Sequence, residues 1–103
     1  MPETYPVGSV HDFEEGRARV VRAGGRDIAL VRAGGRFVAL SNTCRHRGGP
    51  VGEGEVDAGA GTVTCPWHGW EYELATGKAT LNPAARLETY TVEVVGDEVR
   101  VTL

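Results

Sequence analysis

Two short stretches of this 103-residue chain hold residue types that bind metals or do redox chemistry. The first, NTCRHRGGP from Asn42 to Pro50, carries Cys44 and His46 with one residue between them. The second, TCPWHGWEY from Thr64 to Tyr72, carries Cys65 and His68 with two residues between them. Each stretch offers one thiolate and one imidazole, and each continues into glycine, Gly48-Gly49 in the first and Gly69 in the second. Eighteen residues separate His46 from Cys65, enough for the second loop to turn back and face the first.

Three chemistries use such residues. A mononuclear zinc ion accepts two Cys and two His, although its usual pairing sets like ligands two to four residues apart, and here each pair mixes Cys with His. Nucleophilic catalysis by a Cys-His pair needs one of each and leaves the second pair without a purpose. A [2Fe–2S] cluster with one iron on two Cys and the other on two His requires the set that the sequence provides. A disulfide between Cys44 and Cys65 is disfavoured in a reducing compartment.

The surrounding elements read as β-structure. The segment VRAGGRDIAL (Val21–Leu30) is followed at once by VRAGGRFVAL (Val31–Leu40), with eight of ten positions identical. The period is too short for a solenoid, and the paired glycines, Gly24-Gly25 and Gly34-Gly35, suit two-residue hairpin turns. The repeat therefore predicts a meander of about three strands. Its middle run, RDIALVRA, is apolar on both faces, with Ile28 and Leu30 on one and Ala29 and Val31 on the other. Further strands are expected in RARVVRA before the repeat, FVALSN after it, TVTC and WEYEL around the second loop, and ETYTVEVV with EVRVTL as a closing hairpin. A single helical turn capped by Ser9 fits SVHDFEEG. The expected fold is all-β: a small antiparallel sandwich or barrel, one domain over 1–103, with a base (1–41 and 86–103) and an inserted, loop-rich lobe (42–85).

Composition narrows the partners. A net charge of −3 gives no basic footprint for nucleic acid or an anionic membrane. No run of about 18 apolar residues exists to span a bilayer, and the first residues lack the basic and apolar regions of a secretory signal. The sequence reads as that of a cytoplasmic protein.

The boxes CRHRGGP and CPWHGWEYE resemble the two cluster-binding boxes of Rieske proteins, C-x-H and C-x-x-H. The likeness extends over most of the chain, including the Pro-containing loop LNPAAR. It implies one Rieske-type [2Fe–2S] cluster, with Cys44 and Cys65 on one iron and His46 and His68 on the other, the imidazoles at the protein tip. Around the cluster it implies roles for Arg47, Gly48, Gly49, Pro66, Trp67, Gly69, Trp70, Tyr72 and Pro83. Pro66 pre-sets the turn between Cys65 and His68, the glycines let backbone N–H groups approach sulfur, and Pro83 either covers the cluster, as the third loop of the family does, or is a plain loop proline. Trp67 either contacts a partner or shields the cluster from water, and Trp70 packs beneath its loop. Arg45 and Arg47 stand as docking charges or plain solvated ones, and His11 as a surface residue.

Two ferric ions, two sulfides, two thiolates and two neutral imidazoles carry no net charge, whereas an all-cysteine cluster carries −2. An electron is added more easily to the neutral set, which places such clusters between about −150 and +300 mV. High-potential members resemble this chain but have a serine after the His-Gly, a tyrosine two residues later and an extra disulfide. Here Trp70 takes the serine position, Tyr72 keeps the tyrosine, and the extra cysteines are absent. The resemblance implies the low-potential branch, near the lower limit: a one-electron carrier, not an enzyme, with no catalytic residue. Its expected partners are a flavoprotein reductase as donor and a terminal oxygenase as acceptor. With four ligands assigned, only His11 remains, so the two-His-one-carboxylate iron site of a complete oxygenase is excluded. A small Rieske-like subunit of a larger reductase, such as nitrite reductase, and a structural zinc module are the alternatives.

Overall fold

The computed structural model describes residues 3–45, 48–67, 69–82 and 84–103. Three strands form the meander that the repeat predicts: β2 (Arg17–Ala23), β3 (Arg26–Ala33) and β4 (Arg36–Ser41). They pair antiparallel in unbroken register, Ala23 against Arg26 and Ala33 against Arg36 at the two turns. Gly24 and Gly25 both have positive φ, as a two-residue turn of this kind requires.

Six further strands complete the described sheet: β1 (Thr4–Ser9), β5 (Glu55–Asp57), β6 (Thr62–Thr64), β7 (Glu71–Glu73), β8 (Thr89–Val95) and β9 (Glu98–Thr102). The order is β1-β9-β8-β4-β3-β2-β5-β6-β7, every neighbour antiparallel. Strands β8 and β9 are the expected closing hairpin, and β6 and β7 flank the second Cys loop as expected. The capped turn is present too, as a 3-10 turn at Val10–Asp12 whose Ser9 hydroxyl accepts the His11 N–H. Strands β1 and β5 were not legible in the sequence. Strand β1 carries Pro6 and Gly8 at a register shift and pairs only with β9, which suits an edge strand.

The two-faced character of β3 organises the interior. Ile28 and Leu30, with Ala39 from β4, join Phe13, Ala23, Val99 and Val101 in the core of the base. Ala29 and Val31, with Leu40 from β4, point the other way and join Val51, Val63, Tyr72, Leu74 and Leu87 in a second core that also contains Cys44 and Cys65. Each fully buried aliphatic side chain contributes about 1.5–3 kcal/mol of transfer free energy. The meander is thus a wall shared by both cores, and the thiols are seated in the one on the far side from the base.

Candidate metal centre

The two Cys-containing loops have the same construction. In the first, Thr43 bridges Pro50, the Cys44 N–H donates to the Gly49 carbonyl (2.9 Å), and the Gly48 N–H returns to the Cys44 carbonyl (2.8 Å). In the second, Thr64 pairs with Glu71 and the Cys65 N–H donates to the Trp70 carbonyl (2.7 Å). In both, then, the cysteine is the first residue of a hairpin loop and its N–H is tied to the carbonyl five residues on. That closure fixes each cysteine backbone.

The loops touch directly. An ideal Cβ at Gly49 would lie 2.8 Å from Cys65 Sγ and 2.8 Å from Trp67 Cβ and Cγ, closer than real Cβ atoms come. Glycine is therefore required where loop one passes over loop two. Both thiols are buried, Cys44 3% and Cys65 0% exposed, and neither is in a disulfide. Burial pushes the Cys65 thiol above the usual range, opposed by the Trp67 N–H that bonds its sulfur and reinforced by neighbouring Cys44. Two adjoining buried thiols, one accepting a backbone N–H, fit an iron–sulfur centre. A cation there supplies the charge that makes thiolates tolerable in a dry core, and sulfur bonded to N–H groups is the arrangement that tunes such centres.

Tyr72 spans the two boxes. Its fully buried hydroxyl lies 3.1 Å from Cys44 Sγ and accepts the Arg45 N–H at 2.9 Å. Desolvation, then the bond to Cys44, raises its pKa, so it stays a neutral phenol able to donate to sulfur. Trp70 is partly buried against the same core with its ring 6.5 Å from that of Tyr72, beneath the loop as expected. Trp67 is half-exposed at 51%, with its Cβ against Gly49, so one side chain both covers the loop contact and faces outward. Pro66 and Gly69 are exposed in loop two, and Gly48 has the positive φ that its turn needs.

His46, Arg47, His68 and Pro83 lie outside the described residues. Among the described residues no three His, Cys, Asp or Glu side chains converge, and the two cysteines are the described half of the expected ligand set. His11 is exposed beside Asp97 (3.6 Å), away from both loops in the base, as expected of a surface residue. One supporting residue escaped the sequence reading. Asn42 is buried at the root of loop one, where its Oδ1 accepts the Gly52 N–H (2.7 Å) and its carbonyl accepts the Val51 N–H (2.9 Å). An Asn at a strand end opening a loop is its only local signal.

The third loop hangs from the same end. The Thr80 N–H donates to the Glu71 carbonyl at the foot of loop two, and Ala79 and Ala85 close the loop. Leu81, at its turn, is 88% exposed.

Comparison with known proteins agrees with this geometry. The family described as Rieske [2Fe-2S] domain matches residues 3–91. The 3-phenylpropionate/cinnamic acid dioxygenase ferredoxin subunit of Photorhabdus laumondii is 37% identical, over 94% of this chain and 91% of the relative. Apoptosis-inducing factor 3 of Mus musculus is 34% identical over 74% of this chain, but the match spans only 14% of that larger protein. Among solved structures, a chain of the complex of reduced oxygenase and oxidized ferredoxin in carbazole 1,9a-dioxygenase superposes with a TM-score of 0.84 at 32% identity, covering 95% of this chain and 91% of the other. With that match over most of its length, and with paired Cys loops built to one plan, the chain belongs to the Rieske [2Fe–2S] domain family, whose mark is a single Rieske-type [2Fe–2S] cluster.

Proposed function

We propose that the chain is the electron-carrying component of an oxygenase system, working in the cytoplasm between a nicotinamide-dependent flavoprotein reductase and a terminal oxygenase. When bound, the cluster supplies reversible one-electron chemistry. Cys44 and Cys65 would hold one iron and His46 and His68 the other, within one domain over 1–103 whose lobe, 42–85, presents them and whose base, 1–41 and 86–103, supports the lobe. The protein residues do not react. Tyr72 orients and bonds the Cys44 sulfur, the Trp67 N–H bonds the Cys65 sulfur, and the buried core excludes water from both. Arg47 and Pro83 complete the surround in this reading, and Trp67 and Leu81 offer exposed apolar area for a partner beside the loops.

The observation that carries the reading is the pair of matched loops that bring two buried thiols together in one dry core. Support for the carrier role comes from the near full-length likeness to a dioxygenase ferredoxin subunit, and for the acceptor from a structural neighbour solved with its oxygenase. The test is anaerobic reconstitution with iron and sulfide, followed by a potentiometric titration read by EPR. A rhombic signal that appears reversibly with one electron, near the low end of the range that begins at about −150 mV, is expected. A colourless protein that binds only zinc would refute the carrier.

A further inference from the structure

Next to Cys44 the surface opens into a cleft of about 620 Å³ between the roots of β3, β4 and β8. Three arginines are among the residues that line it, Arg26, Arg45 and Arg86. Its two acids are already engaged. Asp27 pairs with Arg22 (3.3 Å), and Glu88 accepts the Tyr90 hydroxyl (3.0 Å) and lies 3.9 Å from Arg26. Arg86 donates its Nε–H to the Thr76 carbonyl (3.0 Å), which steadies the side chain and leaves four of its five N–H donors out of that bond. The Arg45 backbone is pinned by Tyr72 beside the Cys44 sulfur, so its charge is carried at the cluster loop. The cleft is thus a positive spot on a chain whose net charge is −3. On the opposite flank, around β5 to β7, exposed Glu53, Glu55, Asp57 and Glu73 make the surface negative.

The lining decides what fits. Pockets for small organic molecules are predominantly apolar, and this one is walled mainly by charged and hydroxyl groups. A free phosphate, only a few waters in size, would leave most of the volume empty. Carboxylates on a folded partner match several guanidinium groups at once. We propose that the arginine cleft is a docking site for an acidic segment of the redox partner, Asp or Glu side chains on its surface, which seats that partner against the Cys44 edge. The negative flank repels the same segment and so fixes the partner's orientation. The proposal rests on the carrier reading above.

The experiment uses probes of known charge. Reduced protein is mixed with ferricyanide, which takes one electron to become ferrocyanide, or with the cation tris(phenanthroline)cobalt(III), which takes one to become cobalt(II). Rates are followed from about 10 mM to about 1 M ionic strength, where the Debye length shrinks from about 30 Å to about 3 Å. The cleft predicts that ferricyanide reacts about tenfold faster at low salt, at the low end of known steering effects, with the cobalt complex showing the reverse. Arg45→Glu and Arg26→Glu, checked for fold by circular dichroism, each reduce or invert this dependence, Arg45→Lys keeps it, and Arg36→Glu at the far end of β4 leaves it unchanged. Independently, hexaglutamate shifts the NMR amide signals of Asp27, Glu88 and Tyr90, and hexalysine does not. Salt dependence that follows the net charge of −3, an equal effect of Arg36→Glu, or hexaglutamate without cleft shifts would each overturn the proposal. Failure of the carrier reading looks different: no reversible one-electron reduction and no EPR signal, while the hexaglutamate arm still reports on the cleft.

Discussion

Replacing Tyr72 by Phe removes one oxygen from a fully buried ring and nothing else from its packing. That oxygen makes two contacts, one to Cys44 Sγ at 3.1 Å and one from the Arg45 N–H at 2.9 Å. Reduction adds negative charge to the ligand sulfurs, so a donor to Cys44 is worth more in the reduced protein. A neutral hydrogen bond contributes about 0.5–1.5 kcal/mol and one to a charged group about 1.5–3, so the differential is roughly 1 kcal/mol. For a one-electron couple a tenfold change in the equilibrium is about 59 mV, so roughly 1 kcal/mol is about 40 mV. Tyr72→Phe should therefore lower the midpoint potential by about 40 mV with the EPR line shape little changed. It should also cost about 1–3 kcal/mol of stability in a denaturant titration, because the Arg45 N–H loses its acceptor. A potential that stays within about 10 mV of the parent, on the same scale, or that rises, would refute the assignment of Tyr72 as a donor to a ligand sulfur.

Three further outcomes follow from the geometry. Gly49→Ala places a Cβ 2.8 Å from Cys65 Sγ and from the Trp67 side chain, so the loops must part; far-ultraviolet circular dichroism should be preserved while the iron and sulfide content per chain falls sharply. Ile28→Ala empties a site in the base core, on the face of β3 turned away from the thiols, and should cost about 2–5 kcal/mol in urea unfolding while leaving the midpoint potential where it was. The Glu15 carboxylate accepts the Gly35 (2.6 Å) and Gly34 (2.8 Å) N–H groups of the β3–β4 turn, bonds that lower its pKa, the Gly35 bond most. A carboxyl with a depressed folded pKa stabilises the fold above its unfolded value of about 4.3 and loses that contribution as pH falls through the folded value. Glu15→Gln should accordingly lower Tm at neutral pH, and the gap between variant and parent should close on acidification through that window, as differential scanning calorimetry would show.

How much of this was legible in advance follows the range of each signal. The ligand types, their spacing and the glycines after them are local, and they named the chemistry without any fold. Hairpin turns are local too, so the Gly-Gly pairs and side-chain alternation gave β2 to β4 and showed that β3 faces two ways. The residues at 46, 47, 68 and 83 keep their reading from the sequence, since they lie outside the described structure. Short strands escaped because their pairing is not local: β5 has three residues, and β1 carries Pro6 and Gly8 and finds its partner only when Thr4 meets Thr102 at the other end of the chain.

The sequence by itself determined that this chain has a Cys2His2 pair of boxes on a β-meander, because ligand identity and turn chemistry are properties of a few consecutive residues. Only the tertiary structure decided that Gly49 lies on Cys65, that Tyr72 reaches Cys44 across 28 residues, and that arginines from positions 26, 45 and 86 share one cleft. Those are distances between segments far apart in the chain. They are fixed by the order of the strands in the sheet and by two cores packed on one wall, which no window of sequence contains.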